Sequence, residues 1–339
     1  MKRLIVHVLV GAGVLALAAG VLAQPATPSP PATTLRLISF PGGSNWPIWV
    51  AQDKGFLARE GLALEITPTP GSVFQMTNLI AGKFDIALTA IDNLVAYDEG
   101  QGEVPVPGTP DLFAFMGGNN SFLSLYVLPE IRSYGDLRGK ELAVDAVSTG
   151  FAFVLQDMLA ANGLKDGDYK LVPAGGTLQR WEALQKKQHA ATLLNTPFDL
   201  LASAAGFKSL GRAIDLLHHY EGGVGAARRS WAQSHQNEVV GFIRAYVAAV
   251  GWLHDRANKT EAIAILRKRL AQMSPETAAQ TYDVFFAASG GMHPKAALDA
   301  EGVRTVLKLR SKYGRPQKEL TDPAKYYDLS YYERAMKAR

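Results

Sequence analysis

Leu35-Arg36-Leu37-Ile38-Ser39-Phe40-Pro41-Gly42-Gly43-Ser44-Asn45-Trp46-Pro47-Ile48-Trp49-Val50-Ala51-Gln52-Asp53-Lys54-Gly55-Phe56-Leu57-Ala58-Arg59-Glu60-Gly61-Leu62 is the stretch whose reading decides the fold. Leu35 to Phe40 is an apolar run short enough for one strand. Pro41 to Asn45 punctuates it, and a helical stretch follows near Trp46 to Arg59. Lys54-Gly55 places a glycine at a left-handed cap, and Glu60-Gly61-Leu62 turns the chain into a second strand, Leu62 to Thr67. Strand, helix, strand is the unit from which parallel sheets are built.

The alternation continues. Asp85 to Thr89, Leu112 to Met116, Leu123 to Leu128, Glu141 to Asp145, Tyr169 to Pro173 and Ala190 to Asn195 read as further strands, mostly continuous apolar runs of the kind buried on both faces. Helical stretches lie near Ser72 to Ala81, Asp92 to Glu99, Gly150 to Ala161, Thr177 to Lys187 and Pro197 to Ala205. From Ser230 onward the period lengthens. Phe242, Ala245, Tyr246, Ala249 and Trp252 share one helical face, and Ala262 to Leu270, Pro275 to Ala287 and Asp299 to Lys312 follow. The expected class is α/β with mainly parallel sheets and a helical C-terminal third.

Upstream of the deciding stretch the chain carries a delivery label. Lys2 and Arg3 precede an apolar run from Leu4 to Leu22, small residues end at Ala23, and a Pro-rich leader, 24–33, follows. This pattern predicts a secretory signal peptide over 1–23. The run is also near the length that spans a bilayer, so an uncleaved anchor is the competing reading. Removing the signal takes away Lys2 and Arg3 from 35 basic residues against 31 acidic ones, leaving 33 minus 31, or +2. So small a charge gives no electrostatic reason to expect nucleic acid as partner. The chain has 0 cysteines. Thiol catalysis, thiolate metal sites, disulfides and lipid attachment at a cysteine are excluded, and stability must come from a large core.

The strand-to-helix junctions carry the functional signal. They are Pro41-Gly42-Gly43-Ser44-Asn45-Trp46, Pro70-Gly71-Ser72-Val73, Thr89-Ala90-Ile91-Asp92-Asn93, Ala146-Val147-Ser148-Thr149-Gly150-Phe151 and Ala174-Gly175-Gly176-Thr177. Ligands of open α/β sheets sit at the carboxyl ends of strands, where helix N-termini present unpaired N–H groups. Each junction alone is explained by helix capping; five in one chain point to a cleft. The residues expected to meet a ligand are Ser44, Asn45, Trp46, Ser72, Asp92, Asn120, Ser148, Thr149, Thr177 and Asn195. Asp92 reads equally well as a helix cap, and Trp46 as core.

Four segments, in order, resemble a known family. Trp49 to Leu62 is similar to the "yvAkekGlfekeGL" signature of the periplasmic binding proteins for sulfonates, nitrate, taurine and thiamine pyrimidines. Ile80-Ala81-Gly82-Lys83-Phe84-Asp85-Ile86-Ala87 resembles their "LaaGqiDfa" element, and Tyr134 to Val144, with Asp136-Leu137-Arg138-Gly139-Lys140, their "sl.DLkGKkvav" element. Leu194-Asn195-Thr196-Pro197-Phe198 sits where the family places an "a..P" turn. The resemblance spans 35 to about 215. It implies the two-lobed periplasmic binding protein fold of type II, SsuA-like, with lobe one formed by 34–118 and 224–339 and lobe two by 119–223. Crossings are then expected near Gly117-Gly118-Asn119-Asn120 and Tyr220-Glu221-Gly222-Gly223, where glycines can absorb hinge motion. Asp85, Asp136 and Lys140 read as fold residues beside turns.

The resemblance further implies the solute-binding component of an ABC importer: a periplasmic monomer that closes on a small organic solute and hands it to a membrane permease and its ATPase, with no cofactor and no metal. An exported enzyme or ligand sensor on the same scaffold is the alternative. An enzyme would need a perturbed acid or base in the cleft, for which Asp92, Asp145 and Glu221 are the candidates. The chain has no H-E-x-x-H, no G-x-S-x-G and no P-loop, and Gly223-Val224-Gly225-Ala226-Ala227-Arg228 lacks the last glycine of a dinucleotide fingerprint. His218-His219, read as strand residues, would face opposite ways and could not share a metal. The family also includes a thiamine-pyrimidine synthase that relies on a Cys-rich segment, which a chain without cysteine cannot match. For the ligand, helix N-termini favour a sulfonate or carboxylate, yet no Arg or Lys lies in the five junctions; the carboxylates would instead favour an amine or a pyrimidine-like ring.

Overall fold

The computed structural model describes residues 32–287 and 291–337. The expected signal peptide over 1–23 and all but the end of the expected leader lie outside the described residues. The strands are β1 (Thr33–Ser39), β2 (Leu62–Pro68), β3 (Ile86–Ala90), β4 (Leu112–Asn119), β5 (Ser124–Val127), β6 (Glu141–Val144), β7 (Lys170–Pro173), β8 (Ala191–Leu194), β9 (Lys208–Arg212) and β10 (Gly223–Arg228). They form two five-stranded sheets, ordered β2-β1-β3-β10-β4 and β7-β6-β8-β5-β9.

Both sheets follow one plan. In the first, β10 runs antiparallel to β3 and β4 while its other neighbours pair in parallel; in the second, β5 runs antiparallel to β8 and β9. The reversed strand is in each case the one made just after the chain passes from one sheet to the other. All remaining strands of a sheet point the same way, so their carboxyl ends share one edge.

The helices are α1 (Trp46–Asp53), α2 (Phe56–Arg59), α3 (Ser72–Ile80), α4 (Ile91–Asp98), α5 (Gly150–Ala161), α6 (Thr177–Gln185), α7 (Phe198–Ala204), α8 (Ala213–Leu217), α9 (Arg229–Ser234), α10 (Gln236–His254), α11 (Lys259–Arg269), α12 (Pro275–Phe285), α13 (Ala300–Tyr313) and α14 (Ser330–Lys337). Gly55, at φ 69°, breaks the 46–59 stretch into α1 and α2, because a left-handed residue cannot continue a right-handed helix. The C-terminal third, from α9 on, is helical. On α10, Phe242, Ala245, Tyr246 and Ala249 are buried as the period requires.

Strand burial on both faces is visible in β1 and β4. Leu35, Leu37, Phe113 and Phe115 pack with Trp46, Phe242 and Tyr282 in one core. Ile38, Leu112 and Ala114, one residue out of phase, pack in the other core with Met76, Leu94 and Leu307, because successive side chains leave a strand on opposite faces. The sequence expectation differs in three places. β9 and β10 are additional strands: their Gly-rich sequences, Lys-Ser-Leu-Gly-Arg and Gly-Val-Gly-Ala-Ala-Arg, carry little strand signal, and pairing to β5 and to β3 and β4 makes them. Gly117 and Gly118 lie inside β4, not in a crossing. A Cβ on Gly118 would stand 2.7 Å from the Gly223 carbonyl oxygen, so close strand approach, not hinge freedom, calls for glycine there.

Candidate functional site

The carboxyl edges of the two sheets face a common cavity. It is lined on the first-sheet side by Phe40 to Asn45, Leu88 to Ala90, Asn93, and Gly117 to Asn119. On the second-sheet side Asp145, Thr149 to Phe151, Gly176, Thr177, Arg180 and Asn195 close it. It holds about 940 Å³ of empty space, part of it open to solvent, an upper bound that suits a small organic solute. The walls reach it through turns that need small residues. Gly42, at φ 143°, lies against the Phe198 ring, 3.2 Å from where a Cβ would sit.

Of the expected ligand residues, Ser44, Asn45, Thr149, Thr177 and Asn195 line this cavity, brought together from three junctions and the end of β8. Three of them have local duties, Thr177 Oγ1 accepting from Arg180 Nη2 (3.0 Å). Asn45 Nδ2 donates to the Phe40 carbonyl oxygen (2.8 Å) and Thr149 Oγ1 to that of Ala146 (2.9 Å). The Asn195 Oδ1 is buried with no partner, an acceptor left open at the cavity.

The other expected residues are placed elsewhere, and each is a correction. Trp46 is fully buried, its Nε1 donates to the Ala262 carbonyl (3.1 Å), and Tyr282, Phe285 and Phe286 surround it edge-on; the apolar side of α1 takes it into the core. Asp92 is committed to a buried ion pair. Its carboxylate accepts from Arg310 Nε (2.6 Å) and Nη2 (2.8 Å) and from the Gly150 N–H (2.6 Å). The Ser72 N–H donates to the Asp145 carboxylate (3.0 Å), and the Ser148 hydroxyl to Glu103 (2.6 Å). Asn120 belongs to a different cavity, beside His218, His219, His254 and His293.

That second cavity also corrects the histidine reading. His218 and His219 follow α8, with His218 at φ 59°, so strand alternation does not govern them. His219 Nδ1 contacts Asp299 (3.0 Å). Among the described residues no three His, Cys, Asp or Glu side chains are grouped to hold a metal ion. Glu221 lies fully buried beside Asp299 and lines neither cavity; it accepts from the Asp299 N–H (2.6 Å), and burial pushes its carboxyl well above the usual carboxylate range.

The electrostatics of the first cavity turn on a residue that the sequence reading passed over. Arg180, on the first turn of α6, is 2 % exposed and lines the cavity. Its Nη2 donates to Thr177 Oγ1 (3.0 Å) and the Leu193 carbonyl (3.2 Å), its Nη1 to the Gly175 carbonyl (3.5 Å), and its Nε has no partner. No carboxylate of the described residues forms an ion pair with it; Asp145 acts on it only through its field, and burial pushes the guanidinium down to about 10. The available signal was its spacing, three residues after Thr177, which sets both on the first turn of one helix.

Hydrogen bonds that tie the first-sheet side to the second include Gly150 to Asp92, Ser72 to Asp145, Ser148 to Glu103, Arg310 to the Ser148 carbonyl, and the Gly176 N–H to the Pro70 carbonyl (2.8 Å). Two of the acceptors are carboxylates set against the N-termini of α3 and α5, where the helix dipole favours negative charge.

Strand order, a cavity at the carboxyl edges and helix N-termini around it describe a receptor-like scaffold, and the comparisons assign its family. The sequence pattern described as NMT1/THI5 like matches residues 44–259. The chain belongs to this family. No curated protein matches the sequence. Solved structures similar to this member of the family include a protein of Bordetella bronchiseptica RB50, with 20% identity and a TM-score of 0.75 over 90% of this chain and 97% of that one. The periplasmic nitrate-binding protein NrtA from Synechocystis PCC 6803 has 15% identity and a TM-score of 0.75 over 91% and 89% of the two chains. The alkanesulfonate-binding protein SsuA from Xanthomonas axonopodis pv. citri, bound to MOPS, has 17% identity and a TM-score of 0.69 over 88% and 99%. The family member described here has the periplasmic binding protein fold.

Proposed function

We propose that this protein is the exported solute-binding component of an ABC importer. The observation that carries the reading is the cavity whose walls come from both sheets, so that a solute inside it touches two structural halves at once. The halves are lobe one, 34–118 with 224–339, and lobe two, 119–223. They hinge where the chain passes between sheets, at Asn120 to Leu123 and His218 to Gly222; Ser121 and Phe122 there adopt φ of 67° and 51°. Capture needs no bond made or broken. The solute binds the closed arrangement more tightly than the open one, and that difference is the whole mechanism. The cross-cavity hydrogen bonds are the contacts that opening would break.

Cleavage after Ala23 releases the protein as a periplasmic monomer, which delivers its solute to a membrane permease and its ATPase. It is a binding protein and not an enzyme: Asp92 is neutralised by Arg310, Asp145 is held by Ser72, and Glu221 lies outside the cavity. Small-angle scattering tests the reading. Adding a solute that raises the melting temperature is expected to reduce the radius of gyration; an unchanged profile at saturation defeats closure.

A further inference from the structure

We propose that the two lobes exchange helix caps across the cleft, and that this exchange latches part of the empty protein closed, with Glu103 as the latch residue outside the cavity. The inference rests on the two-lobe reading above and goes beyond it, because the latch acts before any solute is present.

Two helices that begin at the cleft have no cap of their own. α3 starts after Gly71 and α5 after Thr149, and at neither does the N-cap side chain accept from the helix. Gly71 has no side chain, and Thr149 Oγ1 donates backward to the Ala146 carbonyl (2.9 Å). The caps come from the opposite lobe. On α5, in lobe two, Asp92 of lobe one accepts from the Gly150 N–H (2.6 Å). Just ahead of it, Glu103 of lobe one accepts from both the Ser148 N–H (3.1 Å) and the Ser148 hydroxyl (2.6 Å). On α3, in lobe one, Asp145 of lobe two accepts from the Ser72 N–H (3.0 Å). Both seats leave room for a carboxylate only because a glycine stands there: a Cβ on Gly71 would lie 2.9 Å from Asp145 Oδ1, and one on Gly150 2.4 Å from Asp92 Cγ. A carboxylate so placed satisfies an orphaned N–H and meets the positive end of the helix dipole. Opening the cleft separates all three at once and leaves both helices uncapped, so the closed arrangement is favoured before a solute arrives. A solute that binds only that arrangement gains apparent affinity in proportion to the fraction already closed.

Glu103 is the separable part of the latch. Asp92 is also held by Arg310 in the core, and Asp145 lines the cavity. Glu103 is exposed, lines neither cavity, and among the described residues its carboxylate bonds only to Ser148. Its carrier is stiff. Pro105, Pro107 and Pro110 fix φ along 101–110, Val104 and Val106 pack against the core, and the buried Gln101 donates to the Pro316 carbonyl (2.8 Å). The carboxylate is therefore presented to α5 from a fixed position on lobe one, and the first turn of α5, Thr149 to Phe151, lines the cavity.

Double electron–electron resonance on the mature protein, refolded free of carried-over solute, reads the latch. The chain has 0 cysteines, so Lys83→Cys in lobe one and Lys186→Cys in lobe two, both at exposed positions, carry spin labels without background. The labelled parent is expected to show a closed and an open distance. Glu103→Ala is expected to lower the closed-to-open ratio by roughly 2- to 30-fold, the range of losing one helix cap, with Glu103→Gln between the two. Glu130→Ala, an exposed carboxylate outside the latch, is expected to leave the ratio unchanged. Where parent and Glu103→Ala both show the closed distance alone, the double change Glu103→Ala with Asp145→Ala is expected to bring up the open one. A double variant that stays closed overturns the latch. So does a parent that is open throughout, or a Glu103→Ala protein that melts at a lower temperature with the parent's distances, which would make Glu103 a support of α5 and nothing more. All of these readings are taken without solute, so solute capture stands or falls on its own scattering test.

Discussion

Asp92 and Arg310 stand 218 residues apart in sequence and 2.6 Å apart in space, with side chains 2 % and 0 % exposed. The pair joins α4 to α13, and through the Gly150 N–H and the Ser148 carbonyl it reaches the start of α5 in the other half of the molecule. Removing one partner leaves a buried charge alone. Arg310→Met is therefore expected to cost about 3–5 kcal/mol in chemical denaturation. The double change Asp92→Asn with Arg310→Met is expected to recover a large part of it. A single variant as stable as the parent would show that the pair contributes nothing.

Trp46 is a core residue despite its place in a glycine-rich junction. Its ring packs among three aromatics and its Nε1 donates to Ala262. Trp46→Phe is expected to lose about 1–3 kcal/mol of stability, from the orphaned carbonyl and the smaller ring, with solute affinity unchanged. Weakened affinity at unchanged stability would return Trp46 to the site.

Asn45 holds the first junction through the Phe40 carbonyl. Asn45→Ala is expected to lower the stability of the empty protein by roughly 1 kcal/mol and to weaken binding by loosening the turn. Calorimetry and thermal melts on the same preparation separate the two effects; a melt identical to the parent with weakened binding would mean that Asn45 touches the solute directly.

Asp98, on α4, is raised from 3.8 to about 7 by burial. A carboxyl raised on folding holds its proton more tightly in the folded state. Its contribution is therefore complete below about pH 4, falls as pH rises, and is gone above about pH 7. Unfolding free energy is expected to drop across that window by roughly 2–4 kcal/mol on this account, and Asp98→Asn to flatten the profile. A variant with the parent's pH dependence would assign the slope to other groups.

Intact mass of protein recovered from the periplasm is expected to begin at Gln24. Retention of residues 1–23 would mean that the apolar run stays as an anchor.

The sequence by itself determined the alternation of strands and helices, the helical C-terminal third and the glycine-rich junctions, because period, apolar runs and left-handed glycines act over a few residues. β1 to β8 were legible for that reason. Tertiary structure alone decided the rest. β9 and β10 exist because a neighbouring strand pairs with them, Gly118 of β4 because Gly223 passes close by, and Gly117 because Ala297 and Leu298 do. The junctions were legible as a group, yet which side chain faces the cavity depends on partners brought from afar: Ala262 claims Trp46, and Arg310 claims Asp92. Arg180 is the sharpest case. Its identity is local, but its burial without an ion pair among the described residues is a property of everything packed around it, which exists only once the chain has folded.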